Sequence, residues 1–231
     1  MSTGTPGRRQ VLGAAAAATL ALAVPLVVSP ADAAAAAAAW HGIDVTGSSP
    51  PLALSMTRAS DGRTVTAADF RGRVVMLYFG YVSCPDACPL TMSRIAHVLD
   101  NLGPLARQVR VLFVTVDPER DTLPVLRDYA SAFGADFVGL RGTPDALAAL
   151  ARRYRIAYSI TPATADAPEA VTHSSAVYVF DRTGRARLLI PGLASQTPDL
   201  DGVTQDMRRL IAGDAPKGMM QRMWDALRGM V

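Results

Sequence analysis

Cys84 and Cys88 are the only two cysteines in a chain of 231 residues, and they stand four positions apart in Gly80-Tyr81-Val82-Ser83-Cys84-Pro85-Asp86-Ala87-Cys88-Pro89-Leu90. Thiolate sulfur does disulfide exchange and binds soft metals, and spacing discriminates between the two uses. Dedicated dithiol oxidoreductases use C-x-x-C. One further residue widens the loop, so that the sulfurs can sit apart as neighbouring ligands and still close into a disulfide. The plain alternative is a loop-stabilising disulfide, whose entropic benefit over so short a ring is modest.

A metal needs further ligands, and the chain holds three histidines, His41, His97 and His173. His97 lies two turns into the helix that follows the cysteines, too far to bend back, and reads as a surface or packing residue. His41 falls in an N-terminal linker, where it is solvated unless a flexible segment carries it to a site. His173, in Val171-Thr172-His173-Ser174-Ser175, stands two residues before the run SAVYVF. Two thiolates and one imidazole favour copper: soft sulfur selects Cu(I), and imidazole allows Cu(II) to be held as well. A structural zinc site wants a fourth protein ligand, and none is evident.

The elements that must position these residues follow from hydrophobic pattern. RVVMLYF, residues 73–79, and VRVLFVTV, residues 109–116, are continuous apolar runs of strands buried on both faces. Between them, Leu90, Met92, Ile95, Val98, Leu99 and Leu102 recur at helical spacing up to Gly103-Pro104. Short strands at 52–57 and 64–65 flank Asp61-Gly62. Helices are expected at 122–133, at 144–154 with Thr143 as N-cap, and at 198–211. A strand at 137–140 and a hairpin pairing 175–180 with 185–190 complete the set. Strand, cysteine loop, helix and terminal hairpin in this order predict an α/β fold, a thioredoxin-like sandwich with a central mixed sheet flanked by helices. On that plan Cys84 lies just past the end of the first buried strand and Cys88 at a helix N-terminus, where orphan N–H groups favour thiolate. The start of the SAVYVF strand then faces the cysteine loop, and His173 stands near the position usually held by a cis-proline.

The N-terminus reads as an export signal. Arg8-Arg9, the uncharged apolar run 11–28 and Ala31-Asp32-Ala33 follow the order of basic region, apolar region and cleavage site. An uncleaved membrane anchor is the alternative, and the absence of a cysteine after the apolar run excludes a lipid anchor on a processed Cys. The expected division is 1–33 signal or anchor, 34–50 linker, 51–213 thioredoxin-like domain, and 214–231 a Met-rich amphipathic helical tail. Net charge is +3 over the chain, carried almost wholly by Arg, without a basic cluster, so nucleic-acid binding has no support. A peroxiredoxin is excluded by pattern: P-x-x-x-[ST]-x-x-C would need Pro and Ser or Thr where Leu77 and Tyr81 precede Cys84, and where Tyr81 and Pro85 precede Cys88.

Several separated motifs, in order, resemble the Sco (SenC) family of copper-binding proteins involved in assembling cytochrome c oxidase. GYVSCPDACPLTM is similar to GYTxCPDxCP, with Val82 replacing the usual Thr. TVDPERDTLPVLRDYASAF is similar to VDPxRDTPxxLxxYxxxF. GIDVTG, FRGRVVMLYFGY and VTHSSAVYVFDRTG also fit. The resemblance implies Cys84, Cys88 and His173 as copper ligands and Asp117 as a site-adjacent carboxylate, although turn-capping before Pro118 would also explain Asp117. Arg120 and Asp121 read as a local ion pair. The family implies an exported protein, periplasmic or on the outer face of the cytoplasmic membrane. Its partners would be a copper-accepting oxidase subunit and either another copper donor or a thiol reductant. The same cysteines would serve a thiol–disulfide oxidoreductase, for which His173 would be dispensable.

Overall fold

A computed structural model describes Met1 and residues 39–161 and 170–213. The signal or anchor segment 1–33 and the tail 214–231 lie outside the described residues. The domain is the unit that begins at Trp40.

Its frame is an eight-stranded sheet in the order β1-β10-β9-β4-β5-β6-β2-β3. The strands are β1 (Ile43–Asp44), β2 (Ser55–Arg58), β3 (Thr64–Thr66), β4 (Val74–Gly80), β5 (Val109–Thr115), β6 (Phe137–Arg141), β9 (Val177–Phe180) and β10 (Ala186–Ile190). β7 (Tyr158–Thr161) and β8 (Ala170–His173) form a separate antiparallel pair. β4, β5 and β6 run parallel at the centre. β9 runs antiparallel to β4, and the rest of the main sheet is antiparallel. Every residue of β4 is buried, as an unbroken apolar run flanked by strands on both sides requires. The result is the thioredoxin-like mixed sheet expected from element order.

Four helices cover the sheet: α1 (Ala87–Leu102), α2 (Leu123–Ser131), α3 (Pro144–Arg153) and α4 (Leu200–Ile211). α1 buries Cys88, Thr91, Met92, Ile95, Val98, Leu99 and Leu102, a stripe of three- and four-residue steps, and stops at Gly103, whose φ of 57° suits glycine. Thr143 caps α3 by accepting from the Ala146 N–H at 3.2 Å, and Asp199 caps α4 by accepting from the Gly202 N–H at 2.8 Å. α1 and α4 pack together, and α2 packs on β6.

Two departures from the sequence reading bear on the site. Within the expected linker 34–50, Ile43 and Asp44 pair with Leu189 and Leu188 as an edge strand. The residues before them are docked: the Asp206 carboxylate accepts from the N–H groups of His41 and Gly42, and His41 Nδ1 lies 2.9 Å from Asp199 Oδ2. His41 is therefore held at the start of α4 and is not carried on a free linker. The second departure is β7–β8, which no sequence signal announced. His173 closes β8 in register with Tyr158, and the Ser174 N–H donates to Ala157 O at 3.0 Å.

Candidate metal centre

β4 ends at Gly80, where a side chain would be crowded. A Cβ on Gly80 would stand 2.6 Å from Phe113 Cε2 and 3.0 Å from Cys88 Sγ. The chain then turns through residues 81–86, with the Cys84 N–H donating to Tyr81 O at 3.3 Å, and enters α1. Cys88 falls inside the first turn of α1, not before it.

The two cysteines are not joined as a disulfide; Cys84 is half-buried and Cys88 fully buried. The Cys88 N–H donates to Cys84 Sγ at 3.4 Å. Partial burial alone would push the Cys84 thiol up. Hydrogen bonds from the Asp86 and Cys88 backbone, the Cys88 thiol and the Tyr81 hydroxyl outweigh it, and the thiol sits below its ordinary value. Burial pushes Cys88 the other way, up to about 12, against hydrogen bonds from the Tyr78 hydroxyl and the Tyr81 backbone. The pair thus consists of a half-buried sulfur that ionises more readily than an ordinary thiol and a buried sulfur that ionises less readily.

The tyrosines went unnoticed in the sequence, where Tyr78 counted as core and Tyr81 as loop. Burial, then the neighbouring sulfurs, raises both hydroxyls, Tyr81 to about 12, so both remain O–H donors. The signal for Tyr78 was its type: a phenol inside an otherwise apolar buried strand needs a partner for its hydroxyl.

Asp117 is buried just past β5 and ion-paired with Arg120. Asp121 does not pair with Arg120 as the sequence suggested. It is buried and accepts from the Thr115 hydroxyl at 2.6 Å and the Val82 N–H at 3.0 Å. Burial raises its carboxyl above the ordinary value, partly offset by those two bonds. His97 is exposed on α1, as expected of a residue outside the site.

His173 is the last residue of β8, in the pair of strands separate from the main sheet. β9 begins four residues later at Val177, and its Tyr178 pairs with Leu77 of β4, so the start of β9 lies beside the end of β4 that leads into the cysteine loop. The His173 side chain lies outside the described residues. Among the described residues no group of three or more His, Cys, Asp or Glu is gathered as a metal cluster. The soft donors at hand are the two sulfurs, a set that suits a soft ion with room for a further ligand.

The SCO1/SenC family model matches residues 56–211. The chain belongs to the SCO1/SenC family. It is 37% identical over 153 residues to the mitochondrial SCO2 homolog of Bos taurus, a match covering 65% of this chain and 56% of that protein. It is 37% identical over 120 residues to protein SenC of Rhodobacter capsulatus, covering 52% of this chain and 54% of that one. The chain therefore spans little more than half the length of these relatives. Among solved structures, Bradyrhizobium japonicum ScoI with copper bound superposes with a TM-score of 0.60 at 31% identity, covering 70% of this chain and 98% of that one.

Proposed function

We propose that this SCO1/SenC protein binds copper through Cys84, Cys88 and His173 and delivers it to the binuclear copper site of a cytochrome c oxidase subunit. The observation that carries this reading is the pair of neighbouring sulfurs at the entry to α1, with the Cys88 N–H on Cys84 Sγ at 3.4 Å. Copper bound to the B. japonicum relative supports it. Thiolates hold Cu(I), and an imidazole from His173 extends the grip to Cu(II). Asp117, buried beside the loop, tunes the site or meets the partner. Delivery is by ligand exchange, with the half-buried Cys84 as the sulfur an incoming acceptor reaches. The domain works outside the cytoplasmic membrane, in the periplasm or tethered to the outer face. Another copper donor loads it, or a thiol reductant keeps its cysteines reduced.

The test is metal analysis of protein that has been reduced, loaded with copper and desalted. Wild type should retain one copper per chain. Cys84→Ala and Cys88→Ala should lose it, and His173→Ala should bind far more weakly. Wild-type retention by His173→Ala would defeat the three-ligand site.

The inequality of the thiols favours a second reading, reduction of a client disulfide. The Cys84 thiolate attacks one client sulfur and expels the other as thiolate. The Cys88 sulfur, losing its proton, then attacks Cys84 Sγ and expels the second client thiolate. Two electrons pass to the client, and the Cys84–Cys88 disulfide remains. Disulfide exchange undiminished in His173→Ala, alongside lost copper binding, separates the two roles.

A further inference from the structure

A buried carboxylate outside the proposed ligand set reaches the cysteine loop from the turn after the neighbouring strand, β5. Asp121 is 1% exposed. Its Oδ2 accepts from the Thr115 hydroxyl at 2.6 Å and from the Val82 N–H at 3.0 Å. Thr115 is the last residue of β5, and Val82 stands two residues before Cys84. Thr115 Oγ1 also accepts from the Asp117 N–H at 3.0 Å, and the Asp121 N–H donates to Asp117 O at 3.0 Å. One oxygen therefore joins the cysteine loop to the turn that carries Asp117. Alongside it, the Val116 N–H donates to Gly80 O at 2.8 Å, fixing the root of the loop but not its tip.

We propose that Asp121 is a positioning residue that pins the cysteine loop to the end of β5 through Val82, and so holds Cys84 in register with Cys88 for copper. This rests on the copper-binding reading for its functional consequence, but the pinning itself is independent of metal. A loop of six residues between strand and helix has many conformations, and only those that present Cys84 Sγ beside Cys88 chelate. A buried acceptor that takes the Val82 N–H removes most of the others, because turning away would strand a carboxylate oxygen and a hydroxyl in the interior. Outer residues that orient a ligand in this way alter metal affinity without touching the metal.

The experiment compares Asp121→Ala, which removes the acceptor, with Asp121→Asn, which keeps a carbonyl oxygen able to accept both bonds. Amide hydrogen exchange at Val82 is measured on the reduced, metal-free protein. Cu(I) affinity is measured by competition with a chromophoric chelator. In Asp121→Ala, Val82 exchange should quicken at least about tenfold, and Cu(I) affinity should fall about 10- to 100-fold at unchanged stoichiometry. Asp121→Asn should restore most of both. Unchanged Val82 exchange, or unchanged affinity, in Asp121→Ala overturns the proposal. Should Asp121→Ala fail to fold, Thr115→Val loosens the same carboxylate by removing one donor. It should give a smaller change of the same sign in both readouts, and no change in either overturns the proposal equally. A wild type that holds no copper defeats the ligand set instead, and the Val82 exchange then decides the pinning alone.

Discussion

Cys88 points its own backbone N–H at the sulfur of Cys84, 3.4 Å away, while unlike burial makes the two thiols unequal. Cys84 lies below the ordinary thiol value because hydrogen bonds overcome its partial burial; Cys88 lies far above it because burial wins. At pH 7 the thiolate fraction of Cys84 therefore exceeds that of a free cysteine, while Cys88 stays protonated. Iodoacetamide should modify Cys84 about an order of magnitude faster than Cys88 in the native reduced protein. Peptide mass spectrometry over a time course reads this directly, and equal rates would mean the two environments are alike.

If Cys84 and Cys88 are the copper ligands, as proposed, the same inequality gives copper loading a pH dependence. A thiol held up to about 12 is protonated throughout the physiological range, so ligation by Cys88 must expel its proton. Low pH opposes that release and high pH favours it. Cu(I) affinity should rise about tenfold per pH unit for each proton released, from pH 6 to pH 8. A flat profile would show that Cys88 does not bind as thiolate.

Much of this was legible because the decisive signals are local. The apolar run of β4, the helical stripe of α1 and the cysteine pair between them fix where the sulfurs stand. Thr143 was readable as a cap because a hydroxyl before Pro144 has few other uses, and it does accept from Ala146. What escaped was long-range pairing. Asp121 looked like a partner for adjacent Arg120, yet the fold turns it inward to Val82, 39 positions away. Likewise Trp40–Gly42 looked like linker because its partner Asp206 lies at the other end of the domain. β7 and β8 escaped for a different reason: they pair only with each other, and their sequences YSIT and AVTH carry no continuous apolar run.

Gly80→Ala tests how tightly the loop root is packed. The φ of Gly80 is not positive, so alanine meets no backbone penalty. Its methyl group would instead press on Phe113 Cε2 at 2.6 Å and on Cys88 Sγ at 3.0 Å. Overpacking of this kind costs about 1–3 kcal/mol. Urea unfolding of the reduced protein should show that loss. An unchanged midpoint would mean that the Phe113 ring moves aside freely.

The segment before β1 is the remaining element whose importance only the three-dimensional contacts reveal. Asp206 is fully buried, and one of its oxygens accepts from the His41 N–H at 3.0 Å and the Gly42 N–H at 2.8 Å. The neighbouring Trp40 ring is met by two guanidiniums, that of Arg209 at 3.9 Å and that of Arg187 at 5.3 Å from its centroid. Gly202 permits the approach, since a Cβ there would collide with both Asp199 and His41. Asp206→Ala strands two N–H groups and should cost about 1–3 kcal/mol. Because the Asp206 carboxylate bonds to His41 and Gly42 and not to the cysteine loop, Cu(I) affinity should stay close to wild type. Limited proteolysis should then cut near residues 39–42 in the variant and spare the wild type. Equal resistance in the two proteins would show that the arginine–tryptophan contacts hold the segment without the carboxylate.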